Sequence, residues 1–317
     1  MPADLIDFND AEVLPKGYGG ANGGKICVLY QGEQYMIKYP AHARVNENLS
    51  YAHDCIAEHL GCSIFRSAGM PTQETILGTR RTTNGKDSLV VACRDLTAQD
   101  TMLLQDFASL KNQTIPGTPR SGYGVELSEI EDTFQLQQVF DPQEIADRFW
   151  DMFIVDAFIG NWDRHNGNWG YLYDPHARTA ALAPVYDCGS SLYALADDGV
   201  MRETLNDRAA MDFRLFERPV SAICIGGKKL KYFDFLASLE NENCNAALER
   251  VVPRLKLNNV EKIIEDAPGL SDLQRDFYEI MLRERKDRIL NFAWQKLQAR
   301  DARAAKRTRT RKRGAER

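Results

Sequence analysis

Hydrophobic periodicity switches once along this chain, near residue 95, from strand-like alternation to helical spacing, and this switch limits the architecture more than any other feature. Before it, Ile26-Cys-Val-Leu-Tyr30 and Gln34-Tyr-Met-Ile-Lys-Tyr39 flank Gln31-Gly32-Glu33 and read as a hairpin. Residues from about Ser50 to Ala68 carry Ile56, Leu60 and Ile64 on one helical stripe, which stops at Gly69 and Pro71. Thr72 to Leu77 and Ser88 to Cys93 read as further strands. After the switch the pattern is mainly helical, with a short strand pair around 169–186 and helices near 229–240, 244–252, 258–266 and 271–299. Asp141-Pro142-Gln143-Glu144 supplies an Asp N-cap, Pro at the first helical position and Glu at the third. The helix it starts is expected to reach about Ile159 and to be buried from Phe149 on. The spacing therefore predicts an α+β fold of two lobes, residues 1–95 and 96–299.

With 317 residues, 44% apolar and 27% charged, the chain can bury a sizeable core. No run of 18 uncharged apolar residues is present, and the acidic start has no apolar segment of a secretory signal. Seven cysteines without a Cys-x-x-Cys pair fit small apolar fillers in a reducing compartment, so a soluble, cytoplasmic protein is expected. The net charge of -5 is uneven. Residues 300–317 hold nine Lys or Arg against two acids, and the rest is acidic. This basic block is expected to be a disordered tail, either simply solvated or in contact with nucleic acid or an acidic partner. The acidic body argues against a nucleic-acid-binding core.

Gly17-Tyr-Gly-Gly-Ala-Asn-Gly-Gly-Lys25 holds five glycines in nine positions, which lets backbone N–H groups approach phosphate oxygens. Gly19-x4-Gly24-Lys25 imitates a Walker loop, but Ile26 stands where that loop needs a Ser or Thr, and strand sequence follows instead of a helix. A glycine flap over a nucleotide, carried between two strands, fits both facts. An ordinary glycine-rich turn fits the loop alone equally well. Lys38 shares a strand face with Met36, and Glu58 shares a helical stripe with Cys55, Cys62 and Phe65. A carboxylate on a partly apolar stripe needs a partner, and a strand lysine paired with a glutamate of the next helix is the phosphate-holding arrangement of kinases. Two solvated charges are the alternative.

The most specific segment is Asp156-Ala-Phe-Ile-Gly-Asn-Trp-Asp-Arg-His-Asn-Gly-Asn-Trp-Gly170. Asp163 and Asn168 stand five residues apart directly after a buried helix, the spacing at which an Asp takes or orients a hydroxyl proton and an Asn holds Mg2+. If 173 faces 182 in the following hairpin, then 168 faces 187, and Asn168 with Asp187 forms an oxygen pair suited to Mg2+. The spacing predicts a structural role for His165 within the loop rather than zinc ligation, given five histidines and no His/Cys ligand spacing. Asp156 is expected to accept hydrogen bonds from the loop backbone, and Trp162 and Trp169 to pack.

With Gly20-Ala-Asn-Gly-Gly-Lys25, Tyr35-Met-Ile-Lys-Tyr-Pro40, Ala57-Glu58, Gln73-Glu-Thr-Ile-Leu-Gly78, Val90-Val-Ala-Cys-Arg-Asp95, Asn161-Trp-Asp-Arg-His-Asn-Gly-Asn168 and Pro184-Val-Tyr-Asp-Cys-Gly-Ser190, the chain resembles the HipA-like serine/threonine kinases, in their short form, from about Gly17 to about Leu290. The resemblance implies a bilobal, atypical protein-kinase-like fold and transfer of the ATP γ-phosphate to protein Ser or Thr. It implies Asp163 as catalytic base, Asn168 and Asp187 as Mg2+ ligands, and Lys38 as phosphate lysine supported by Glu58. It further implies nucleotide contacts from Gly19, Gly20, Ala21, Asn22, Gly23, Gly24, Lys25 and His165, with Ala92, Cys93 and Arg94 as the adenine hinge.

Two departures bear on partners. Only about 16 residues precede the glycine loop, where full-length toxins carry a subdomain that helps antitoxin docking, which argues against an antitoxin partner. Residues 17–25 contain no Ser or Thr, which argues against self-inhibition by phosphorylation there. A phosphoinositide-kinase-like enzyme is an alternative, because it shares the Asp-Arg-His-x-x-Asn spelling. A non-catalytic nucleic-acid binder led by the tail is a weaker one.

Overall fold

The computed structural model describes residues 4–19, 24–40, 53–97, 101–115 and 124–315. Strands β1 (Ile6–Asp7), β2 (Glu12–Leu14), β3 (Lys25–Tyr30), β4 (Glu33–Lys38), β5 (Thr75–Arg81) and β6 (Asp87–Arg94) form one sheet in the order β1-β5-β6-β4-β3-β2, with helix α1 (Asp54–Ser67) between β4 and β5. The β3–β4 hairpin closes through Gln31 and Gly32, both at positive φ, the two-residue turn whose twist matches the strands. Alternation along β4 and β6 sends Tyr35, Ile37, Val90 and Ala92 to one face, where they bury Phe8 and Val28. Val91 and Cys93 go to the other face, against Cys55 of α1. Lys38 and Met36 share the α1 side, which is the side open to a cleft.

The second lobe begins with β7 (Leu103–Asp106), α2 (Phe107–Thr114) and α3 (Leu127–Leu136). Helix α4 (Pro142–Ile159) runs through the main core, buried along most of its length after Phe149. Asp141 caps it by accepting from the N–H groups of Gln143 and Glu144, and Gly160 ends it in the left-handed conformation. Strands β8 (Gly170–Asp174) and β9 (Thr179–Leu182) follow, in the order β7-β8-β9. Next come α5 (Asp198–Asn206), α6 (Arg208–Asp212) with a π-helical turn Phe213–Glu217, and the small hairpin β10 (Cys224–Ile225) and β11 (Lys228–Lys229). The chain then enters α7 (Tyr232–Ser238), α8 (Glu242–Val251), α9 (Leu257–Asp266), α10 (Asp272–Arg285), a π-helical stretch Lys286–Asn291 and α11 (Phe292–Ala315). Trp169 is buried and stacks on Phe107 at 4.2 Å, a packing role as expected.

Two sequence expectations are corrected by the fold. In the β8–β9 ladder Tyr173 faces Ala180 and Tyr171 faces Leu182, so the pairing that would have set Asn168 opposite Asp187 is displaced by two residues. The turn is the reason. Asp174 accepts from the N–H groups of His176 and Ala177, and Arg178 takes a left-handed φ of 55°, which closes the loop earlier than the spacing suggested. The basic segment expected to be disordered continues α11 as helix to Ala315. Ala302, Ala304 and Ala305 with Arg and Lys are among the best helix formers, so local propensity outweighs like-charge repulsion there.

Candidate active site

Between the two lobes lies a cleft of about 760 Å³. Its upper wall is Gly17, Tyr18, Gly19, Lys25, Met36, Lys38 and Glu58, and its lower wall includes Asp163, His165, Asn168 and Asp187. Lys38, at the end of β4, reaches Glu58 Oε2 at 2.8 Å and Asp187 Oδ1 at 3.1 Å. Glu58 is 1% exposed and also accepts from the backbone N–H groups of Cys188 at 3.1 Å and Gly189 at 3.0 Å. One carboxylate of α1 therefore holds both the lysine and the loop that carries Asp187. Asp187 sits in the left-handed region at φ 59°, with its side chain 43% exposed to the cleft. The Lys38 ammonium holds its carboxyl below the usual aspartate range against the opposing effect of burial. Burial works against the charge on Lys38, but the two carboxylates outweigh it and its pKa is raised.

Asp163 follows the Gly160 helix stop. Its N–H donates to Asn161 Oδ1 at 3.0 Å, and its carbonyl accepts from Asn168 Nδ2 at 2.8 Å. Its carboxyl is pushed up chiefly by burial; His165 opposes this and the charge of Asp187 adds to it. Because Asn168 spends its amide nitrogen on that carbonyl, its amide oxygen is the end presented to a ligand. His165 Nδ1 accepts from Gly167 N–H at 3.0 Å, so the ring organises the loop. Asp156 is buried, but it accepts from side chains, Asn161 Nδ2 at 2.9 Å and Arg164 Nε at 3.0 Å, where loop backbone was expected. The loop satisfies this buried charge with a guanidinium because backbone N–H groups alone do not neutralise it.

Lys25 stands opposite Lys38 in the β3–β4 ladder, and its ammonium donates to the Gly19 carbonyl at 2.9 Å. Burial lowers its pKa, and the neighbouring Lys38 charge lowers it further. Gly24 accepts from Tyr39 N–H, while Gly20, Ala21, Asn22 and Gly23 lie outside the described residues. Ala92, Cys93 and Arg94 are not brought to the cleft. They lie inside β6, paired to β4 on one side, with Ala92 and Cys93 also paired to β5 on the other; the Arg94 N–H and C=O are taken by Glu74 O and Gln73 Nε2. Backbone groups bound on both sides cannot serve as an adenine hinge.

The segment that lines the cleft is the next one, Asp95-Leu96-Thr97. Sequence reasoning missed a cluster there. Asp95 accepts from Tyr18 Oη at 2.6 Å and Lys16 Nζ at 2.9 Å, and Lys16 also donates to Thr97 Oγ1 at 2.8 Å. These contacts tie the start of the glycine loop to the interlobe connection. The Asp95-x-Thr97 turn spelling was visible in sequence, but nothing local pairs it with Tyr18.

Lys38 shared between Glu58 and Asp187 leaves that trio one negative charge in excess, with Asp163 beside it. Among the described residues no group of three or more His, Cys, Asp or Glu forms a metal cage. One carboxylate and one amide oxygen, with phosphate and water completing the shell, is a donor set that suits Mg2+ rather than a dedicated protein-held metal. The residues fit that ion.

Residues 18–263 match the model of the HipA-like C-terminal domain. The chain belongs to that family. It is 39% identical over 290 residues to the curated serine/threonine-protein kinase CtkA of Helicobacter pylori, covering 91% of this chain and 87% of the relative. The crystal structure of a Helicobacter pylori proinflammatory kinase CtkA superposes on this HipA-like fold with a TM-score of 0.86, at 38% identity, covering 92% of this chain and 97% of that one. HipA of Shewanella oneidensis, solved with HipB and operator DNA, gives a TM-score of 0.54 at 14% identity, covering 88% of this chain and 67% of that one, which is agreement in fold alone.

Proposed function

We propose that this protein transfers the γ-phosphate of ATP to a Ser or Thr hydroxyl of a protein substrate, with Mg2+ as the required ion. The chain is a serine/threonine-protein kinase of the HipA-like type. The observation that carries the chemistry is a single cleft in which Lys38, held by Glu58, meets Asp187 beside Asp163 and Asn168.

Lys38 and Lys25 bind phosphate oxygens, and Glu58 keeps Lys38 extended across the cleft. Asp163 accepts the hydrogen bond of the acceptor hydroxyl and takes its proton as the oxygen attacks the γ-phosphorus in line; the bond to the β,γ-bridging oxygen breaks and ADP leaves. Asn168 and Asp187 would hold Mg2+, which supplies charge neutralisation to the transferring phosphoryl group. Gly19 to Gly24 cover the phosphates and His165 supports the loop beneath them. The adenine edge meets Asp95 to Thr97 in place of 92–94. We assign residues 1–95 to the nucleotide lobe, 96–299 to the catalytic lobe, and 300–317 to a basic tail that contacts nucleic acid or an acidic partner. A cytoplasmic site of action agrees with the described residues, none of whose helices is long and apolar enough to cross a membrane.

The test is phosphate transfer from labelled ATP by the wild type, Asp163→Ala and Asp187→Ala proteins, offered a protein extract and, separately, phosphoinositide vesicles. Label on protein Ser or Thr from the wild type alone is expected. Label on lipid, or transfer retained by either folded variant, overturns the proposal.

A further inference from the structure

We propose that Arg164 is the positioning residue that makes one metal site out of two separate loops. The inference rests on the kinase reading above and concerns how its metal pair is held. The β8–β9 ladder does not place Asn168 against Asp187, since its register is displaced by two residues. Another element must therefore fix their separation.

Arg164 has the geometry for it. Its Nη1 donates to the backbone carbonyl of Asn168 at 2.7 Å and to that of Tyr186, the residue before Asp187, at 2.5 Å. Its Nη2 donates to Cys188 Sγ, on the far side of Asp187, at 3.5 Å and to Asp156 Oδ1 at 3.3 Å, and its Nε donates to Asp156 Oδ2 at 3.0 Å. All five guanidinium N–H groups thus have an acceptor. Each acceptor belongs either to the buried helix α4 or to a residue at or next to a metal ligand. The group is 5% exposed and lies 5.7 Å from the centre of the Phe65 ring of α1, which closes the remaining face.

The anchor is rigid as well. Asp156 belongs to the buried part of α4 and is fixed by Asn161 Nδ2 at 2.9 Å. The guanidinium transmits that position to both loops through a planar fork. A lysine ammonium offers three donors from a point and cannot span Asp156, Asn168 and Tyr186 together. Partners behind metal ligands commonly control affinity by about 10- to 100-fold. Sequence spacing gave Arg164 no role because its acceptors lie in three separate stretches of chain.

The experiment uses the full chain with Mn2+ as a paramagnetic probe and a non-hydrolysable ATP analogue. Mn2+ affinity is read by electron paramagnetic resonance, and analogue affinity is read separately in excess chelator. For Arg164→Lys, Mn2+ affinity is expected to weaken about 10- to 100-fold, while metal-free analogue affinity stays within about threefold. Unchanged Mn2+ affinity overturns the proposal, as does a loss of both affinities in parallel with the thermal midpoint. Should Arg164→Lys not fold, Asp156→Asn, which keeps Arg164 but removes its charged anchor, gives the same reading; Mn2+ affinity equal to wild type again overturns it. A wild-type chain that binds no Mn2+ with the analogue overturns the kinase reading itself, an outcome distinct from equal binding by wild type and variant.

Discussion

Lys38 Nζ lies 3.1 Å from the Asp187 carboxylate, a contact across 149 residues of sequence, and the same ammonium is 2.8 Å from Glu58. The two carboxylates are not equivalent. Asp187 is half-exposed and faces the cleft, whereas Glu58 is buried and also carries the N–H groups of Cys188 and Gly189. Lys38→Met should therefore reduce phosphate transfer by about 10²-fold or more but cost only about 1–3 kcal/mol, because Glu58 keeps its backbone donors. Glu58→Ala leaves Lys38 only Asp187 and orphans the N–H groups of Cys188 and Gly189 at once, and should cost about 3–5 kcal/mol in addition to activity. Urea denaturation beside a transfer assay checks the contrast, and equal stability losses would count against this division of labour.

Gly61 shows how tightly α1 approaches the same loop. A Cβ built there would lie 2.7 Å from Cys188 Cβ and 3.3 Å from Ser191 Oγ. In an exposed helix Gly→Ala stabilises by about 0.5–1 kcal/mol. Gly61→Ala should instead destabilise, and it should lower phosphate transfer by displacing Asp187 through its neighbour Cys188. A thermal midpoint at or above wild type with full activity would show that the loop has slack.

Local signals account for what the sequence made legible. Asp163 and Asn168 share one loop after a helix whose N-cap and glycine stop were both written out, so their order carried over directly to space. Lys38 and Glu58 followed from strand alternation and a helical stripe. What was not legible depends on where backbone hydrogen bonds begin and end. Strand β6 runs to Arg94, which moves the cleft-lining segment to Asp95 and beyond. The β8–β9 register depended on Arg178 adopting a left-handed conformation that its residue type does not announce. Contacts between residues far apart in sequence, Tyr18 with the Asp95 carboxylate and Arg164 with the Tyr186 backbone carbonyl, had no periodic signature at all.

His59 gives the acid side of stability a specific origin. It follows Glu58 in α1, its Nδ1 lies 3.0 Å from Thr75 Oγ1, and burial lowers its pKa to about 4. The unfolded chain takes up this proton near pH 6.5 while the folded chain resists until about pH 4, so stability present above pH 6.5 is lost as pH falls through that window. The loss should be on the order of 1–3 kcal/mol in the wild type. It should be largely absent in His59→Gln, measured as urea midpoints between pH 7 and pH 4.5. The same acid loss in both proteins would place its origin elsewhere.

The end of α11 separates charge from catalysis. Arg300 is tied back to the body through Glu242 at 2.9 Å and the Leu239 carbonyl at 3.3 Å, and residues 301–306 are exposed. From Arg303 onward the chain holds eight Lys or Arg, one acid and no apolar residue larger than Ala. Such a segment lacks the aromatic and aliphatic anchors of a protein interface and the apolar face of a membrane-surface helix. Long-range attraction to phosphates is what it retains. Full-length protein should bind duplex DNA or RNA with an affinity that falls steeply with salt, with a log–log slope of roughly −0.9 per phosphate neutralised on B-DNA. Deleting residues 303–317 should abolish that binding and leave phosphate transfer to a small peptide within about twofold, because Arg300 is held at the α7–α8 junction and no described residue of α7, α8 or α11 lines the cleft. Fluorescence anisotropy across a salt series, paired with the transfer assay, reads both. Salt-insensitive binding, or binding that survives the deletion, would show that these charges are solvated and nothing more.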